Sequence, residues 1–182
     1  MKKYVLLKTN KENYPYIIDV FRMLLGNALQ IEESDTFLKV EYQDAKDTEI
    51  SATIESLESD LNALITSYQT TTLKPNKEIE IVKDLFLRIN YGHYQFKTLI
   101  LNIRDKLTAL EVFQFIIEGS GVTEDIILAM ADCDLNVSKA SVLLFMHRNT
   151  LLYKIERLIS LSDFDLKNFN DLYILVQLLR AK

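Results

Sequence analysis

Apolar residues recur in two different rhythms along this chain. The run Lys3–Lys8, KYVLLK, is short and continuously apolar, while Thr36–Gln43, TFLKVEYQ, alternates Leu38, Val40 and Tyr42 against Lys39 and Glu41; both predict β-strands. A further strand is predicted over residues 28–33, ALQIEE, paired with the alternating one as a hairpin across Ser34-Asp35. Between the first and second strands, YPYIIDVFRMLLG predicts an apolar helix ending near Gly26. From Ile50 the rhythm becomes helical: Ile54, Leu57, Leu61, Leu64 and Tyr68 follow at a 4-3-4-3-4 spacing, which predicts a helix of about five turns. Glu49, Glu55, Glu58 and Asp60 keep most of its opposite face wet. Such a seam either packs on the predicted sheet or pairs with a second chain, and in the second case Ile54, Leu57, Leu61 and Leu64 are the dimer contact.

Pro75, in the loop TTTLKPNK, is expected to break that helix, and EIEIVKDLFLRIN resumes as another that stops by Gly92. The segment 94–102, YQFKTLILN, fits a strand or a helix equally, whereas 104–117 is helical. With only four glycines and two prolines in 182 residues, the run Glu118–Gly121, EGSG, is the clearest boundary signal. Everything after it reads as helix. The expected class is therefore α+β: a small mixed α/β domain over residues 1–117, followed by an all-α domain over residues 122–182.

Composition narrows the function without naming it. The chain is 48% hydrophobic and 26% charged, and no apolar run reaches the roughly 18–20 residues that a membrane-spanning helix needs. No membrane partner is therefore expected. The opening MKKYVLLKTNKENY has an apolar run too short for a signal peptide, so the expected location is cytoplasmic. One cysteine, Cys133, and two distant histidines, His93 and His147, give no metal-ligand spacing. No Gly-rich phosphate loop or nucleophile elbow appears either, so neither cofactor, metal nor catalysis is expected. Glu32, Glu33 and Asp35 read as a solvated turn, His93 as a surface loop residue and Cys133 as a small, at least half-buried side chain.

Charge is distributed unevenly. From Asn136 to Ser160, four basic side chains stand against one acid, for +3; Leu161 to Lys182 holds three of each; of the net −5, residues 1–135 therefore carry −8. An acidic chain confines its basic character to one stretch, NVSKASVLLFMHRNTLLYKIERL. Thr123 is a plausible N-cap for the helix before this stretch, with Glu124 and Asp125 in its first turn. Ser138 is expected to cap a second helix running to about Leu144. After a break at Phe145-Met146-His147, a third helix extends through Leu158, buried along Leu151, Ile155 and Leu158. Two short helices so joined have the size of a helix-turn-helix unit.

The opposite face of the third helix carries the chemistry. Arg148 can fork onto guanine O6 and N7, Asn149 can pair with adenine, and Leu152 can touch a thymine methyl. Ser138, Lys139, Thr150, Lys154 and Arg157 suit phosphate. His147 reads equally as a phosphate donor or a cap, and Tyr153 as a phosphate contact or a packing residue.

These residues carry a resemblance. Asn136-Val137-Ser138, then His147-Arg148-Asn149-Thr150, then Leu151-Leu152-Tyr153-Lys154 resemble the C-terminal helix-turn-helix of PucR/CdaR-type bacterial regulators, the purine-catabolism and sugar-diacid regulators. The tail LSDFDLKNFNDLYILVQLL is similar to that family's closing helix, and the likeness covers about residues 123–181. Two positions depart from common helix-turn-helix usage: Ser141 replaces a small Ala, and Phe145 replaces the turn glycine. The segment upstream is shorter than in full-length members, and an N-terminal sensing domain for sugar diacids or purines is not evident.

The resemblance implies a cytoplasmic bacterial transcriptional regulator that binds duplex DNA as a homodimer. Residues 1–117 would serve sensing or dimerisation, with an unidentified effector as a further partner. The rival reading is a protein-interaction module on a helix-turn-helix scaffold that does not bind DNA.

Overall fold

The computed structural model describes residues 2–26, 30–43 and 47–182, so Ala28 and Leu29 of the second predicted strand lie outside the described residues. The fold is α+β and divides into two compact units. One comprises the chain up to Thr70 together with Val82–Phe96; the other comprises Thr71–Ile81 together with Lys97–Lys182.

The first unit is built on a sheet of five strands: β1 (Lys3–Lys8), β2 (Gln30–Glu33), β3 (Leu38–Tyr42), β4 (Thr66–Gln69) and β5 (His93–Gln95), in the order β2-β3-β1-β4-β5. Strand β1 is central, antiparallel to β3 from Lys3↔Tyr42 to Leu7↔Leu38 and to β4 from Val5↔Gln69 to Lys8↔Thr66. A strand covered on both faces must be apolar on both, which is why KYVLLK does not alternate. The predicted β2–β3 hairpin forms, from Glu33↔Leu38 to Gln30↔Glu41, and Ser34 N–H donates to the Phe37 carbonyl at 2.9 Å across its turn.

Two helices, α1 (Tyr14–Leu25) and α2 (Asp47–Leu61), cover one face. Their core joins Ile17, Ile18, Phe21, Ile50, Ile54 and Leu57 to Val5, Leu7, Leu38 and Val40. Burying each such side chain contributes about 1.5–3 kcal/mol. Helix α1 ends where predicted, at Gly26, whose φ of 73° suits a residue without Cβ.

The 50–68 seam is corrected in two respects. The helix stops at Leu61, Asn62 turns at φ 45°, and Tyr68 belongs to β4, whose backbone groups pair with β1 and β5 instead of within a helix. Of the four residues assigned to a dimer contact, Ile54 and Leu57 are fully buried in this unit's own core, Leu61 packs half-buried against it, and Leu64 is 68% exposed beyond the helix end. The seam therefore faces its own sheet.

Strand β4 was not predicted because TSYQ is polar, yet all four of its residues are buried. Ser67 Oγ lies 2.9 Å from His93 Nδ1, and Ser51 Oγ donates to Gln69 Oε1 at 3.4 Å. His93 is thus not a loop residue but the first residue of β5. The ambiguous segment 94–102 is both alternatives in turn: the end of β5, then α4 (Phe96–Ile100). Helix α3 (Pro75–Arg88) begins at Pro75, where a missing N–H costs nothing, so that proline starts a helix instead of breaking one. Lys8 Nζ caps the far end, donating to the Ile89 carbonyl at 2.8 Å.

The second unit is helical, with α5 (Lys106–Ile117), α6 (Glu124–Asp132), α7 (Val137–Leu143), α8 (Arg148–Ser162) and α9 (Phe169–Ala181). Helix α9 packs on α5 and α6, and α8 on α7 and α5. Because α5 shares this core, the junction predicted at Glu118–Gly121 is a turn inside the unit. Gly119 and Gly121 both sit at φ 76°, and Ser120 between them is buried, its Oγ donating to the Ile117 carbonyl at 2.8 Å and accepting from Val122 N at 3.0 Å. The two glycines supply a left-handed turn, not a linker. Among the described residues no helix is long and apolar enough to cross a membrane.

Candidate nucleic-acid interface

Three helices, α6 to α8, build the basic stretch, and each boundary has a local cause. Thr123 takes the extended N-cap conformation before α6, but its side chain makes no capping bond. The helix ends in a left-handed turn: Asp134 has φ 52°, and Leu135 N–H returns to the Met130 carbonyl at 2.9 Å while Asp134 N–H reaches Ala131. Helix α7 is capped by Asn136, not by Ser138 as the sequence reading had it. Asn136 Oδ1 accepts from Ser138 N and Lys139 N, each at 3.1 Å.

The α7–α8 turn repeats the same device. Met146 N–H donates to the Ser141 carbonyl at 2.9 Å and Phe145 N–H to Val142 at 3.1 Å, with Phe145 at φ 50°. Glycine normally fills such a position, and here a phenylalanine does so with its ring 100% exposed. Ser141, also atypical, is buried but satisfied, its Oγ donating to the Ser138 carbonyl at 2.9 Å.

Helix α8 begins at Arg148, and His147 is its cap: Nδ1 accepts from Asn149 N at 3.2 Å. The ring proton then sits on Nε2, so the cap role and a donor role toward phosphate coexist. Leu151, Ile155 and Leu158 are fully buried and fix which side of α8 faces inward. Arg148, Asn149 and Thr150 are consequently exposed in its first turn, and Tyr153 and Arg157 are exposed beyond them. Arg148 Nε donates to Ser138 Oγ at 3.1 Å. That bond orients the guanidinium while leaving its two terminal nitrogens for a base edge.

The remaining site residues differ in freedom. Ser138 and Lys139 are exposed on α7, Leu152 is half-buried, and Tyr153 is 61% exposed, which favours contact with a partner over internal packing. Lys154 is half-buried and its ammonium donates to the Gly121 carbonyl, tying α8 to the turn before α6. The ten sequence-predicted residues thus lie on or beside two adjoining helices: eight are exposed, and Leu152 and Lys154 are half-buried, the Lys154 ammonium being engaged with Gly121.

Sequence reasoning missed what braces this module. Asp171 is buried, and its Oδ2 accepts from Asp165 N at 2.8 Å and Lys97 Nζ at 2.7 Å, fixing the turn before α9. Only an acid three residues after Asn168, itself the N-cap of α9, hinted at it.

A second polar group lies in the sheet unit. Ser67, His93 and Glu58 form a chain, with His93 Nε2 3.5 Å from Glu58 Oε2, and Tyr91 hydroxyl donates to the same oxygen at 3.1 Å. The order resembles that of a nucleophile, base and acid. Ser67 is 2% exposed, however, and Glu58 also accepts from Ile65 N at 2.8 Å, so the chain pins α2 to β4 and β5 and offers no open nucleophile.

Comparison with known proteins places this geometry. The PucR C-terminal helix-turn-helix domain matches residues 125–181. No curated protein matches the chain. Among solved structures, a regulator of polyketide synthase expression from Bifidobacterium adolescentis is similar at 14% identity and a TM-score of 0.50, covering 99% of this chain and 79% of its own; at that identity the likeness speaks for the fold. Residues 125–181 of this chain form a PucR-type C-terminal helix-turn-helix domain.

Proposed function

We propose that this protein is a transcriptional regulator that binds duplex DNA by laying α8 in the major groove. The observation that carries the reading is the first turn of α8: Arg148 and Asn149 stand exposed side by side, while Leu151, Ile155 and Leu158 anchor the other face. Arg148 and Asn149 read base edges, and Leu152 meets a thymine methyl. Ser138, Lys139, His147, Thr150, Tyr153 and Arg157 hold the flanking phosphates, with Lys154 adding the donors it does not spend on Gly121. One such module makes too few contacts for high affinity, so the protein acts as a homodimer on two half-sites. The sheet unit within residues 1–117 serves sensing or dimerisation, and an effector would reveal itself by raising the melting temperature of that unit.

Selection of bound sequences from a random duplex library tests the proposal. A palindromic consensus is the expected result, and recovery of unenriched sequence contradicts it. The exposed apolar tip of Val142, Leu143 and Phe145 favours a second reading, docking of a protein partner. Salt separates the two, because phosphate-based binding falls steeply between about 50 and 200 mM salt and an apolar contact does not.

A further inference from the structure

We infer that two copies of this chain pair through an antiparallel, twofold contact of α9. Along α9, Phe169, Tyr173, Val176 and Arg180 follow one another at a 4-3-4 spacing, the rhythm of a helix seam that expects a partner helix. This stripe is not consumed within the unit: Phe169 is 69% and Tyr173 50% exposed, and their rings stack at 6.3 Å between centroids. With Leu135 and Ala131 beside them, these side chains line an open, mostly apolar groove of about 420 Å³.

The charges at the two ends of the groove say what fills it. Lys182, at the end of α9, is ion-paired to Glu124, at the start of α6, so the two helices run antiparallel. Asp134, just past the end of α6, therefore lies at the Phe169 end, and Arg180 lies three turns away, about 16 Å along the axis. A groove with an acid and an aromatic ring at one end and an arginine at the other is complementary to itself once inverted. A twofold axis brings Arg180 of the second copy onto Asp134 and Phe169 of the first, and repeats the contact at the other end. In that register Tyr173 of each copy packs on Val176 of the other, on either side of the axis. None of the ten residues assigned to DNA lines this groove, so pairing leaves the face of α8 free. The contact also replaces the dimer seam that the sheet unit buries.

The inference does not rest on the DNA reading, and its test uses none. Sedimentation velocity of the full chain at micromolar concentration is expected to show a species of twice 21.1 kDa. Tyr173→Glu is expected to give a folded monomer by circular dichroism. Asp134→Arg and Arg180→Asp each juxtapose like charges at both ends of the twofold contact and are expected to weaken self-association at least tenfold. Mixed in equal amounts, these two variants restore both ion pairs and are expected to form a heterodimer. That rescue also shows both variants to be folded. A monomeric wild type, a dimer indifferent to Tyr173→Glu, or failure of the mixture to pair overturns the inference.

Discussion

Helix α7 has seven residues and no stability of its own, so its N-cap matters more than its length suggests. Asn136 Oδ1 takes two backbone donors, Ser138 N and Lys139 N, both exposed. Replacing a capping Asn by Ala costs about 0.5–2 kcal/mol. Water reaches both amides once the carbonyl is gone, which puts Asn136→Ala near the middle, about 1 kcal/mol, or about 2–4 °C in melting temperature for a chain of this size. Ser138→Ala behaves differently. Its hydroxyl accepts from Arg148 Nε, and alanine is the better helix former at that position, so stability stays within about 0.5 kcal/mol. What Ser138→Ala loses is the bond that orients Arg148, and the proposed function expects DNA affinity to fall with it. Thermal melts followed at the helical circular dichroism band compare the two variants directly. A large drop for Ser138→Ala with a neutral Asn136→Ala would refute the capping assignment.

Phe145→Gly removes a left-handed strain of about 1–2 kcal/mol at the cost of about 0.5–1 kcal/mol in unfolded-chain entropy. Because the exposed ring buries nothing, urea denaturation should show a gain of about 0.5–1 kcal/mol; a loss would mean that the ring packs after all. Leu57→Ala opens a cavity under the sheet and should cost about 2–5 kcal/mol in the same assay, whereas a seam serving only dimerisation would lose association and keep stability. Asp171→Ala leaves Asp165 N–H without its acceptor and takes from the Lys97 ammonium its nearer carboxylate, with Asp163 remaining at 3.8 Å. The expected cost is about 2–3 kcal/mol, below the about 3–5 of a fully buried pair because Lys97 reaches solvent, and an unchanged unfolding midpoint would contradict it.

The parts of the fold that could be read from the sequence were those whose pattern is set locally. Strand β3 alternates because one side chain in two is buried, and α8 shows its inward face through Leu151, Ile155 and Leu158. The parts that could not be read depend on distant partners. Strand β4 is polar and becomes a strand because β1 and β5 flank it, and its Tyr68 falls in step with the α2 heptads only by coincidence. At α7 two residue types competent to cap stand two positions apart, and Val137 and Ala140, both buried, start the helix two residues earlier than a Ser138 cap allows. The glycines of EGSG signalled a change of direction correctly, but direction alone does not separate a turn from a domain boundary; the packing of α5 on α8 and α9 does. The exposed side of α8 was legible because the buried Leu151, Ile155 and Leu158 fix it, whereas the engagement of Lys154 with Gly121 depends on a fold that brings residues 33 apart together.

The central claim is that Arg148, held by Ser138 and exposed in the first turn of α8, reads a base. Fluorescence anisotropy titration of wild type and Arg148→Ala against the selected duplex and against a scrambled one tests it most directly. The expected loss is about 1–3 kcal/mol, or about 5- to 150-fold in Kd, on the selected duplex, with a far smaller loss on the scrambled one. Equal losses on both duplexes, or none on either, would contradict the account.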